Sequence, residues 1–222
     1  MIACELVVVV KHPEVGKVKT RLAQGIGDAG AFDLYQAFVG DIVTRFSGGP
    51  HAFAIAYTPA DAPFARPGVR CFPQRGPTLN ARLLAIFDEQ RSRARRTIVM
   101  SSDSPHVPAA WIERGFSELD DADVVLGPCE DGGYWCVGMR APHDVFSGVA
   151  MSTPLVLAQT LERARALGLR HTLLPTTFDV DELADLARLR AEIGHEPGLL
   201  PATAASLAAL DRDPVLADLR DR

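Results

Sequence analysis

The sequence predicts an α/β protein, a single three-layer α/β/α domain built on a mostly parallel sheet. Short apolar runs alternate with longer segments of helical period, which is the pattern of strands covered by helices. One run, Leu6 to Val10, is continuously apolar, as a strand buried on both faces requires. Composition agrees: 222 residues with 47% hydrophobic and 23% charged side chains suffice for one core. That balance excludes a disordered, collagen-like or coiled-coil chain.

The first strand, residues 4–10, is expected at the sheet centre. Phe32, Tyr35, Val39, Ile42, Val43 and Phe46 recur every three or four positions, predicting a helix over 28–46 with Asp28 capping its first turn. Gly48, Gly49 and Pro50 stop it. Strands follow at 51–57 and 69–73. A helix over 78–91 is built on Leu79, Leu83, Ile86 and Phe87, and the sheet resumes at 97–100. Pro108 opens a helix to about residue 119, followed by strands at 123–127 and 134–139. Pro154 opens another, capped by Ser152 or Thr153 and stopped at Gly168. A strand at 171–174 and a helix over 182–193 complete the domain, expected to span 1–196. Residues 176–222 hold ten acids and five bases. The end of that stretch, 197–222, reads as a short acidic helical tail packed on the domain, with a homodimer contact as the second reading.

A formal net charge of −5 argues against nucleic acid as the main partner. The basic run 91–96 falls at a predicted helix end and lacks interleaved aromatics for base stacking. No apolar run approaches the roughly 20 residues of a membrane span. Glu5 and Lys11 bound the N-terminal run unlike a signal peptide, so a cytoplasmic protein without membrane partners is expected. Cys4, Cys71, Cys129 and Cys136 show neither zinc nor redox spacing, and reduced thiols are expected.

Four segments carry chemistry. The first, 11–21, follows the first strand and holds Lys11, Lys17, Lys19 and Arg21 against Glu14 alone. Ligands of open α/β sheets bind outside the carboxyl ends of strands. Pro13 and Gly16 shape a turn there, while Lys19 and Arg21 are suited to phosphate oxygens; a merely solubilising loop is the alternative. Second, Asp103 follows the strand at 97–100 and is the leading ligand for Mg²⁺ or Mn²⁺, against a turn or cap role. Third, Glu130, Asp131, Gly132 and Gly133 follow a strand end. They form either a hairpin turn or a site where a carboxylate orients or deprotonates an acceptor, with Gly132, Gly133 and Tyr134 beside acceptor or donor sugar. Fourth, Asp179 or Asp181 is a second metal carboxylate, or Asp181 is simply the N-cap of the next helix.

Val7 to Lys11, Pro13, Gly16, Val18-Lys-Thr-Arg-Leu22, Ser102-Asp-Ser-Pro105, Gly127-Pro, Glu130-Asp-Gly-Gly-Tyr134, Ser152-Thr-Pro154 and Asp179-Val-Asp181 together resemble the DUF2064 family. This is the radical-SAM/selenodomain-associated transferase 1 group of GT-A-like proteins, and the resemblance covers about residues 2–190. It implies a nucleotide-diphospho-sugar transferase fold, a nucleotide over the loop after the first strand, and a divalent cation near Asp103. Two departures stand out. The family often has Asp-Cys-Pro-Asp where this chain has Asp103-Ser-Pro-His106, so only Asp103 carries over. At Pro77-Thr-Leu-Asn-Ala-Arg82, mainly Leu79 and Arg82 of the family pattern are retained.

The function expected is a metal-dependent transferase using a nucleotide-sugar and a small-molecule acceptor. The alternatives are a nucleotidyltransferase using a nucleoside triphosphate, and a nucleotide-binding module without turnover.

Overall fold

Strand β1 (Ile2–Lys11) lies inside the sheet because its residues alternate between two cores. Leu6, Val8 and Val10 face one and Val7 the other. The computed structural model describes residues 1–212. Part of the expected tail, 213–222, lies outside the described residues.

Around β1 the chain builds a seven-stranded sheet in the order β3-β2-β1-β4-β6-β5-β7. The other strands are β2 (Ala52–Thr58), β3 (Arg70–Pro73), β4 (Ala94–Ser101), β5 (Val124–Pro128), β6 (Tyr134–Met139) and β7 (His171–Leu173). All pair in parallel except β6, which runs antiparallel to both β4 and β5. The sequence expectation of a mostly parallel α/β sheet is met.

Helices α1 (Thr20–Phe46) and α3 (Ala109–Glu118) cover one face through Tyr35, Val39, Ile42, Ile112 and Phe116. Helices α2 (Leu79–Gln90) and α4 (Val156–Ala166) cover the other through Leu83, Ile86, Phe87 and Ala164. The outer side of α1 meets α5 (Leu183–His195) and α6 (Pro201–Asp211) in a further core of Leu22, Leu34, Phe38, Leu189 and Leu207. Buried Asp41 of α1 accepts the backbone N–H groups of Ala202 and Thr203, satisfying donors that the first turn of α6 leaves unpaired.

Several local expectations need correction. Element α1 is two helical stretches that meet at Gly27, whose φ 73° and ψ 160° are not helical. The second runs from Asp28 to Phe46 as expected, with Gly27 rather than Asp28 at the cap position, and the sequence reading missed the first, which begins at Thr20. The N-cap of α4 is Leu155 rather than Ser152 or Thr153; Thr153 Oγ1 instead accepts from Leu155 N–H at 3.3 Å. Glu182, not Asp181, caps α5, in a reciprocal capping box with Asp185. The basic run 91–96 is only half helix end, because β4 begins at Ala94. Among the described residues, no helix is long and apolar enough to cross a membrane.

Candidate active site

From β1 the chain proceeds outward through β2 and β3, then returns to place β4 on the other side of β1. That reversal makes a switch point, and the crevice beyond the carboxyl ends of β1 and β4 is where such sheets take ligands. A cavity of about 570 Å³ opens there. Its lining includes Lys11, Lys19, Thr20, Arg21, Asp103, Tyr134 and Asp181, so four separate predicted segments meet in one place.

Lys19 is the hinge of the arrangement. It occupies the N-cap of α1 with φ 47° and ψ 44°, a left-handed conformation that costs a non-glycine residue about 1 to 2 kcal/mol. Its side chain is 4% exposed, and its ammonium contacts Asp103 Oδ1 and Asp181 Oδ1, the latter at 2.9 Å. Burial works against the Lys19 charge, yet the two carboxylates outweigh it and hold the ammonium well above its ordinary pKa. At Asp103 burial likewise opposes ionisation, but the Lys19 charge and the Ser101 hydroxyl keep the carboxyl below the usual range. Asp103 and Asp181 remain 38% and 44% exposed.

The first turn of α1 has neither an acidic residue nor a side-chain cap. Thr20 and Arg21 of that turn line the cavity, so an uncapped helix N-terminus fronts it. Arg21 is 70% exposed, approaches Glu182 at 3.9 Å, and reaches both this cavity and a neighbouring cleft of about 340 Å³. Lys11 donates through Nζ to the Lys17 carbonyl, and its backbone is held by the Tyr35 hydroxyl. Pro13 and Gly16 do not line the cavity. Gly16, at φ +75°, shapes the loop in which Lys17 N–H meets the Glu14 carbonyl.

Glu130 and Asp131 lie on the second cleft with Asp179, Asp181 and Arg188. They also form the β5-β6 hairpin turn, so the two sequence readings of this segment describe the same residues. Both Glu130 oxygens accept from Arg188, at 2.9 and 2.7 Å, and Asp131 Oδ1 accepts from Gly133 N–H at 2.8 Å. Gly132 sits at φ +88° where a Cβ would lie 2.1 Å from the Pro154 carbonyl oxygen, so only glycine fits where the turn meets the Ser152-Thr-Pro154 segment. The Tyr134 ring lines the first cavity, while its hydroxyl is buried against Thr160. Burial pushes Asp179 up to about 6 despite the Ser104 hydroxyl bonded to it.

Asp103 and Asp181 converge on one cationic atom and offer hard oxygen donors. That set fits Mg²⁺ or Mn²⁺, which take one or two protein carboxylates and complete their shell with water and phosphate. Cys129, Asp131 and Asp179 also bring ligand atoms within 4.8 Å of one another, but burial raises the Cys129 thiol above its ordinary pKa. Sequence reading missed Tyr35, Gln74, Ser101, Ser104 and Arg188. Two signals hinted at them: Ser104 stands within the Ser102-Asp-Ser-Pro105 motif, and Gln74 adjoins the Pro77 to Arg82 motif; Gln74, Leu79 and Arg82 all line the first cavity.

An open sheet, a switch-point crevice and a cationic loop entering a helix are common to ligand-binding α/β proteins, and structural likeness assigns the fold to the nucleotide-diphospho-sugar transferase type. A sequence profile of DUF2064, described as uncharacterized protein conserved in bacteria, matches residues 43–153. The chain belongs to the DUF2064 family. A crystal structure from Desulfovibrio desulfuricans, provisionally described as a nucleotide-diphospho-sugar transferase, matches with a TM-score of 0.86 and 28% identity. The match covers 96% of this chain and 98% of that one. A cytidylyltransferase from Leptospira borgpetersenii matches at 0.58 with 10% identity over 97% of each chain. CMP:2-keto-3-deoxy-manno-octonic acid synthetase complexed with CTP matches at 0.51 with 13% identity, over 87% of this chain and 99% of that one. The last two share the fold alone. No curated protein matches.

Proposed function

We propose that this chain is a transferase using a nucleotide-activated donor, specifically a nucleotide-sugar-dependent glycosyltransferase acting on a small-molecule acceptor. The observation that carries this reading is the meeting of Lys19, Arg21 and the uncapped start of α1 with Asp103 and Asp181 in the switch-point cavity. Cations and free N–H groups suit a diphosphate. The provisional description of the Desulfovibrio neighbour supports the same donor class.

The donor nucleoside lies along the carboxyl end of β1, beside Lys11 and Gln74, with Arg21 and the α1 N-terminus on its phosphates. Asp103 and Asp181 would hold Mg²⁺ or Mn²⁺, which would supply neutralisation of the charge that develops on the leaving diphosphate. The acceptor occupies the second cleft, which shares Arg21 and Asp181 with the first. There Arg188 fixes Glu130 as part of the wall. Asp131, tied to the turn through one oxygen, orients the acceptor hydroxyl and takes its proton.

The test is binding and turnover of a nucleotide-sugar panel with and without Mn²⁺. Metal-dependent binding of one donor and release of its nucleoside diphosphate are expected. Pyrophosphate released from a nucleoside triphosphate would replace the reading with nucleotidyl transfer, and metal-indifferent binding without turnover would reduce the protein to a binding module. Asp103→Asn should lower turnover about 100-fold, the scale of removing one charge-stabilising group, with the circular dichroism spectrum unchanged.

A further inference from the structure

The two carboxylates assigned to the metal already share a cation. Lys19 Nζ contacts Asp103 Oδ1 and lies 2.9 Å from Asp181 Oδ1, while its stem is almost fully buried and the Phe38 ring stands 5.9 Å from it. The place where these oxygens converge is therefore filled by an ammonium. All three side chains line the crevice, but the carboxylates are more than a third exposed and the lysine almost fully buried. A divalent ion arriving alone meets a fixed positive charge at contact range in a partly dry site, where such repulsion is weakly screened.

A diphosphate changes this balance. It brings two or more negative charges to the first turn of α1, one residue from Lys19. The lysine stem is flexible, so the ammonium can leave the carboxylates for phosphate oxygens without moving the helix. We propose, resting on the donor reading above, that Lys19 is a built-in counter-cation of Asp103 and Asp181. It yields their shared position to a divalent metal only when a donor diphosphate draws it away. Metal entry is thus conditional on donor. By linkage the donor gains from the metal the same factor that the metal gains from the donor.

The test uses Mn²⁺ alone, with no nucleotide, titrated by electron paramagnetic resonance into the wild-type protein, Lys19→Met and Lys19→Gln. Both variants should bind one Mn²⁺ at least tenfold more tightly than wild type, and Mn²⁺ should raise the Tm of Lys19→Met but not of wild type. Adding Asp181→Asn to either variant should abolish the gain. Lys19→Gln retains a donor between the carboxylates, which keeps the test available should Lys19→Met not fold. Wild type binding Mn²⁺ as tightly as the variants would overturn the proposal, and so would a folded variant with no gain. Donor turnover by wild type is measured separately. Its absence would sink the transferase reading and leave the Mn²⁺ comparison standing.

Discussion

The His106 imidazole lies 4.2 Å from the Phe178 ring centroid and is bonded through Nε2 to Thr177 Oγ1 at 2.9 Å. Where the family often carries an acid, this chain has a buried aromatic strut joining the segment after β4 to the one before α5. Burial first, and then the Arg45 and Arg188 charges, push its pKa down to about 4. The unfolded chain protonates near the ordinary 6.5 while the folded protein stays neutral, so the unfolded state holds more protons between those values. Stability from this residue is full above 6.5 and is lost as pH falls toward 4. By pH 5 the loss is on the order of 2 kcal/mol. His106→Gln keeps a bonding group for Thr177 without the titration. Its unfolding free energy should fall less than the wild type's between pH 7 and 5 in urea titrations; equal slopes would refute this account. The sequence revealed Asp103 through its position after a strand. It did not reveal the Lys19 bridge to Asp181, because the partners are 162 positions apart and either alone reads as a surface charge or cap.

Helix α1 shows why an element can be half legible. Leu22 and Ile26 are buried at a spacing of four and share a core with Leu34 and Phe38 of the later turns. The glycines at 25, 27 and 30 disguise that spacing as a loop. Two are packing devices: a Cβ at Gly25 would come 2.3 Å from Leu183 Cδ1, and one at Gly30 would come 2.7 Å from Leu210 Cδ2. They admit α5 and α6 against α1. Gly27 differs, since a Cβ there would meet nothing within 4 Å while its φ of +73° is left-handed. Gly27→Ala should therefore cost about 1 to 3 kcal/mol through the backbone alone. Gly40→Ala, likewise open but at a helical position, should gain about 0.5 to 1 kcal/mol. Denaturant midpoints check the pair, and two losses of equal size would contradict the assignment. The remaining elements were visible from periodicity and punctuation. The hairpin reading of Glu130 to Gly133 already implied β6 antiparallel to β5, but not its insertion between β5 and β4, because a short mixed strand does not name its second neighbour.

Across the whole molecule, the two ends of the sheet carry different duties. Every candidate site residue gathers at the end where β1 stops and β6 begins. At the other end the amino-terminal half of β1 buries Glu5, which is 1% exposed and accepts from Arg70 Nη2 at 2.9 Å. Arg70 also donates to Gln90 Oε1 at 2.7 Å, linking β1, β3 and α2. Glu5 Oε2 has no hydrogen bond, and its other cation, Arg93, stands 4.0 Å away. This carboxylate, beside an apolar run that reads as uninterrupted core, has little compensation besides Arg70. Removing one member of a buried pair leaves a charge that the interior cannot solvate, at a cost of about 3 kcal/mol. For a chain of this size, that is a fall in Tm of about 6 to 12 °C. Arg70→Met should show that fall in calorimetry while donor affinity and turnover per folded molecule stay at wild-type values. Asp103→Asn should show the reverse, with Tm changed much less than turnover. Weakened donor binding by folded Arg70→Met would mean that the two ends are coupled through β1, and that stability and ligand capture do not divide along the strand.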